Sequence, residues 1–183
     1  MAARNGIGLV TTPGLGFAGA EDALHFDDGN GPALYISGGF TSVDNVPMPY
    51  LAKWNGGSWS GFPGLFSNGS GGSIVQRIAA YAPSGSPSLY AALTNIMVGN
   101  GTQPSLVRWT GSNWAVIPGI SGTIKGFTVF DGGSGNRLFV CGSSLTINGT
   151  PNVAVAAWNG GTWQIIASSV TASVLPFVRA MAV

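Results

Sequence analysis

Trp54-Asn-Gly-Gly-Ser-Trp59, Trp109-Thr-Gly-Ser-Asn-Trp114 and Trp158-Asn-Gly-Gly-Thr-Trp163 decide how this chain is read, because one short pattern occurs three times and uses all six tryptophans. Further landmarks keep register with it. Leu34-Tyr35, Leu89-Tyr90 and Leu138-Phe139 each precede the first Trp of their unit by the same interval. Phe26, Tyr81 and Phe130 in turn precede each Leu by a shorter interval that is again the same in every unit. The spacing aromatic, Leu, Trp, Trp thus recurs without a gap in three units. Only the connections differ, the step from Trp59 to Tyr81 being longer than that from Trp114 to Phe130. Rigid units joined by unequal linkers mark a repeat architecture, here with a period of roughly 50 residues.

Each unit reads as four short strands. In the third they are expected over 124–130, 137–143, 153–158 and 162–167. Asn159-Gly160-Gly161 lies between β-rich runs and predicts a tight hairpin whose two central residues take φ > 0. The tryptophans flank that hairpin, so their expected role is packing between neighbouring sheets. Asp27-Asp28-Gly29-Asn30-Gly31 and Asp131-Gly-Gly-Ser-Gly read as equivalent turns between the first and second strands.

Composition narrows the function. The 183 residues include 30 glycines and 45% hydrophobic residues, with only 7% charged, against about 25% charged in an average globular domain. This suits a turn-rich β-protein and opposes disorder. The net charge is +1 and the seven basic residues are scattered, too few and too dispersed to neutralise many phosphates, so nucleic acid is excluded as a partner. No run of about 20 apolar residues is present to span a bilayer. Cys141 is the single cysteine, so no internal disulfide forms and the thiol reads as a small buried hydrophobe. With one His and one Cys, one chain alone cannot supply a zinc site. The first residues lack a basic region followed by an apolar core, so they do not read as a signal peptide.

The units resemble the Gly- and Trp-rich propeller repeats of bacterial surface and secreted proteins, a branch similar to Kelch and galactose-oxidase-like propellers. Gly38-Gly39, Tyr50 and Trp54 resemble the double glycine, Tyr and Trp of a Kelch blade, whereas Leu93-Thr94 and Gly142-Ser143 depart from it. The resemblance implies an all-β fold of four-stranded antiparallel blades and a secreted or cell-surface setting. The expected division is 1–19 as an outer strand of a split blade with a linker, then blades over 20–64, 65–119 and 120–169. Residues 170–183 are expected to form the innermost strand of a further blade, aligning Val178–Val183 with Ile124–Val129, while Gly6–Thr11 resembles an outermost strand. Three blades are too few to close a ring, so the ring is expected to be completed by homo-oligomerisation, most simply a dimer.

In such propellers the starting ends of the innermost strands surround the ligand. Two equivalent columns fall there: Glu21, Gln76, Lys125 and Arg179, then Asp22, Arg77, Gly126 and Ala180. They concentrate charge in a chain that otherwise avoids it, and they differ between units that are alike elsewhere. Hence they are the candidate ligand-binding residues. His25, with Asp22 and Asp27, is the weaker candidate catalytic set, although His25 and Phe26 must point to opposite faces of a strand. Asp27 and Asp28 are candidate calcium ligands, without the spacing of an EF-hand loop; no other cofactor is indicated. Two functions compete: a binding or scaffold module for a small molecule, glycan, peptide or protein, and a hydrolase or lyase with a polar site in the channel. A structural fragment without activity is the third reading.

Overall fold

The computed structural model describes residues 9–10, 19–99, 101–131, 133 and 135–168. Among them there is no helix. β1 (Leu9–Val10) precedes β2 (Ala20–Asp27) and β3 (Pro32–Gly38); β4 (Ser42–Val43), β5 (Val46–Pro47), β6 (Leu51–Trp54) and β7 (Trp59–Gly61) follow. Then come β8 (Leu65–Ser67), β9 (Ile74–Tyr81), β10 (Ser88–Thr94), β11 (Ile96–Val98), β12 (Leu106–Trp109) and β13 (Trp114–Val116). The last four are β14 (Ile120–Asp131), β15 (Asn136–Ile147), β16 (Thr150–Trp158) and β17 (Trp163–Ser168).

The three sequence units become three antiparallel four-stranded sheets, in the orders β2-β3-β6-β7, β9-β10-β12-β13 and β14-β15-β16-β17. Each is a meander of neighbours in the chain. The short strands pair separately: β8 with β11, and β1 with β4 and β5. The third unit fuses the corresponding pieces into its long strands, where Ile120 and Ser121 pair with Ile147 and Thr146 before the register shifts. Its strands therefore run longer than the sequence suggested. Leu9–Val10 pairs with β4 as β8 pairs with β11. The remainder of 1–18 and the expected strand at 170–183 lie outside the described residues.

The tryptophan pairs are cross-strand partners: Trp54 with Trp59, Trp109 with Trp114, and Trp158 with Trp163. Their ring centroids lie 5.4, 4.9 and 5.1 Å apart. The turn between them is not the two-residue hairpin that Asn-Gly suggests. It is a four-residue loop in which Asn55 Oδ1 accepts the N–H groups of Gly57 and Ser58, both at 2.9 Å. Asn159 Oδ1 does the same for Gly161 and Thr162 at 3.0 and 2.8 Å, while the Thr110 hydroxyl accepts from Asn113 N at 3.1 Å. A side chain closes each loop, so only the glycine after it (Gly56, Gly111 or Gly160) has positive φ.

Period-2 alternation then stacks the sheets. One core joins Phe26, Tyr35 and Leu51 of the first sheet to Val75, Ile78, Leu89 and Val107 of the second. Another joins Tyr81, Tyr90 and Leu106 of the second to Ile124, Leu138, Val140 and Ala156 of the third. The outer tryptophans tie each sheet to the connection before it, with Trp114 Nε1 donating to Pro63 O at 3.0 Å and Trp163 Nε1 to Pro118 O at 2.8 Å. The leading strands β2, β9 and β14 adjoin in turn. Their starting ends meet at one place.

Candidate functional site

At that place all three leading strands carry a β-bulge at the equivalent residue. Pairing steps from Ala20–Gly38 to Asp22–Ser37 and skips Glu21. It steps from Val75–Leu93 to Arg77–Ala92 and skips Gln76. In the third sheet it steps from Ile124–Gly142 to Gly126–Cys141 and skips Lys125. A bulged residue has no cross-strand partner, and its side chain is re-aimed by the kink. One sequence column therefore becomes three side chains released from the ladders at the same level.

These side chains share a cavity of about 360 Å³, lined by Glu21, Gln76, Arg77 and Lys125 together with Thr94 and Asn95. Two cationic groups and one carboxylate face it. Gln76 Oε1 is buried and has no hydrogen-bond partner; such an acceptor costs roughly 1–3 kcal/mol unless something donates to it. Arg77 Nη1 donates to the backbone carbonyl of Gln76 at 2.5 Å, which holds the guanidinium against its own strand. Asn95 supports one wall. Its Nδ2 donates to Gly71 O at 2.8 Å, and its carbonyl accepts from Ser73 Oγ at 2.8 Å and from Asn68 N at 3.1 Å. The longer connection, between Trp59 and Tyr81, seen in the sequence only as a change in linker length, thus folds down beside the cavity. Sequence reading missed Thr94 and Asn95. The signal in the sequence was that extra linker length; the positive φ of Asn95 just after β10 is seen only in the structure.

Asp22 does not belong to the cavity. It shares its face with Leu24 and Phe26, pointing toward the second sheet, where its Oδ2 accepts the backbone N–H of Ile78 at 3.0 Å. Oδ1 accepts Ala23 N at 2.9 Å. This carboxylate is a staple between leading strands. His25 is exposed on the opposite side of β2 from buried Phe26, so the alternation expected of that pair is observed, and it places His25 on the face away from Asp22. Asp27 closes its turn, its Oδ1 accepting Gly29 N at 2.8 Å and Gly31 N at 3.0 Å. Asp131 makes the same bonds to Gly133 and Gly135 at 2.8 and 3.0 Å.

Asp28 pairs with Lys53, Oδ2 to Nζ at 2.6 Å, and its Oδ1 accepts the Asn30 N–H at 3.2 Å. Burial alone would raise the Asp28 carboxyl, but the Lys53 ammonium, the nearby Tyr35 hydroxyl and Asn30 outweigh it and lower the pKa to about 2. Asp27 and Asp28 therefore serve the turn and an ion pair, and among the described residues no three His, Cys, Asp or Glu side chains gather to hold a metal. Cys141 is buried, and that burial raises its thiol pKa although the charge of Arg77 opposes the rise. Arg179 lies outside the described residues. No helix among the described residues is long and apolar enough to cross a membrane. No family model matches the chain, and neither a curated protein nor a solved structure matches it.

Proposed function

We propose that the chain is a propeller-type binding module whose three sheets are consecutive blades, and that it recognises a ligand at the starting ends of the leading strands. The observation that carries this is the triple bulge at Glu21, Gln76 and Lys125 around one cavity. Three structurally equivalent positions hold an acid, an amide and a base, whereas core positions of the units stay apolar. Lys125 and Arg77 suit an anionic group on the ligand, and Glu21 and Gln76 Oε1 suit neighbouring donors. The ligand class is an acidic glycan or a peptide with an acidic side chain. Binding of acidic oligosaccharides and acidic peptides, followed by titration calorimetry, tests this. Arg77→Ala and Lys125→Ala should each weaken the bound ligand at least tenfold and reduce the salt dependence. Unchanged affinity in both variants rejects the site.

The ring belongs to the same proposal. At the two internal junctions the aromatic pairs Phe26–Tyr35 and Tyr81–Tyr90 are covered, but the equivalent Phe130 in the third sheet is 43% exposed, with Phe139 beside it at 6.1 Å. Ile165 and Ile166 of β17 are exposed as well. Exposed sheet faces of this kind are covered by further blades, and we assign that role to other copies of the chain, most simply in a dimer. Light scattering decides it: a monodisperse particle with the mass of a single chain rejects self-association.

A further inference from the structure

A second cavity, of about 310 Å³, lies between the first and second sheets near the β2–β3 turn. That size falls in the lower range of small-molecule pockets, roughly 300–1,000 Å³. Its walls include Phe26, Tyr35 and Trp109, and its polar groups come from Asp28, Asn30, Ser88, Arg108 and Thr110, one charge of each sign among them. Tyr35 is 1% exposed. Its hydroxyl makes no hydrogen bond within ordinary geometry, although burial and the neighbouring Asp28 carboxylate raise its pKa. The equivalent position in the next sheet, Tyr90, is also buried, and the tyrosine facing it, Tyr81, donates to Asn136 O at 3.1 Å. The orphan hydroxyl is confined to the junction that has the cavity.

We infer that this cavity binds one neutral, polyhydroxylated ring of hexose size, free or at the end of a glycan. The charge balance selects it. Asp28 is ionised and already holds Lys53, so a cationic ligand must displace that ammonium. Asp28 and Arg108 both line the cavity, so an anionic ligand meets the carboxylate and a cationic one meets the guanidinium as well. An apolar ligand desolvates the cavity's polar edge and leaves Tyr35 Oη without a partner, at a cost of about 1–3 kcal/mol. A hexose ring avoids all three penalties: its C–H face packs on the aromatic walls, and its hydroxyls both donate to the carboxylate edge and accept from Tyr35. The site is separate from the one at Glu21, Gln76 and Lys125, so each can fail without the other.

The test is a panel of D-glucose, D-galactose, D-mannose and N-acetyl-D-glucosamine against the full chain, read by tryptophan fluorescence and saturation-transfer NMR. D-glucuronate and D-glucosamine serve as charged controls. At least one neutral sugar should saturate at millimolar concentration, with affinity reduced tenfold or more in Tyr35→Phe and in Asn30→Ala and unchanged in Arg77→Ala. When Tyr35→Phe removes the hydroxyl, Asp28 keeps Lys53 and Asn30, so thermal unfolding of the variant should stay close to that of the parent chain. No saturable binding means the cavity holds water only and overturns the inference. So does binding that survives Tyr35→Phe, that is lost in Arg77→Ala alone, or that favours a charged control.

Discussion

At the junction of the first and second sheets, Phe26 and Tyr35 lie 5.5 Å apart; at the junction of the second and third, Tyr81 and Tyr90 are also 5.5 Å apart. Both pairs meet a buried Leu from the next sheet, Leu89 in one case and Leu138 in the other. The edges differ. Asp22 reaches across the first junction to Ile78 N, while its counterpart Arg77, with no acceptor to offer an N–H, stays with its own strand. Tyr81 finds a carbonyl, while Tyr35 borders a cavity. The repeat thus keeps its apolar stacking and varies polar groups at both ends of the same interfaces, which is where a shared scaffold can acquire separate specificities.

The apolar half of the comparison should respond most strongly. Leu89→Ala and Leu138→Ala each remove a buried side chain at equivalent positions, 2% and 0% exposed. Each should destabilise the fold by about 2–5 kcal/mol, read from urea unfolding midpoints. If one junction tolerates the change and the other does not, the stacking is not equivalent.

The polar half should split. Asp22→Ala leaves Ile78 N–H without its acceptor and should lose about 1–3 kcal/mol, whereas Arg77→Ala, which breaks no bond between sheets, should stay within about 0.5 kcal/mol of the parent chain. Equal losses would erase the distinction between staple and site residue. Tyr81→Phe should lose about 1 kcal/mol with its bond to Asn136, and Tyr35→Phe close to none. Thermal unfolding of the two variants side by side measures that difference.

Much of this was legible before any coordinates. Fixed spacings placed the tryptophans as cross-strand partners, and period-2 alternation separated His25 from Phe26. The same alternation puts Asp22 on the Phe26 side; applied there, it would have removed Asp22 from the ligand column. The bulges were not legible, because a skipped residue is defined by the backbone opposite it. One trace was present in the glycines. A Cβ on Gly142 would lie 2.0 Å from Thr123 O, and one on Gly38 would lie 2.0 Å from Gly19 O, so glycine inside a strand marks the close approach beside the first and third bulges, whereas the second has Leu93 at that place. The cavity between the first two sheets left no pattern at all, since it depends on how two turns from different units meet.

The smallest expected effect concerns the Asp28–Lys53 ion pair of the first junction. Asp28 has a folded-state pKa of about 2, below the value of about 3.9 expected in an unfolded chain. A depressed carboxyl pKa means the native state holds the charged form more firmly. Its contribution is therefore complete above about pH 4 and disappears as pH falls through about 2. The pair is partly exposed, with Asp28 and Lys53 side chains at 26% and 16%, so solvent screening keeps the contribution below about 1 kcal/mol. Asp28→Asn should reduce stability by that amount at neutral pH and in low salt, and the difference from the parent chain should close between about pH 4 and 2. A difference that persists at the acid end would assign the loss to the Asn30 and Tyr35 contacts rather than to charge. That outcome would make the polar edge of the first junction a matter of shape, as it already is at the second, where Tyr81 and Asn136 meet without an ion pair.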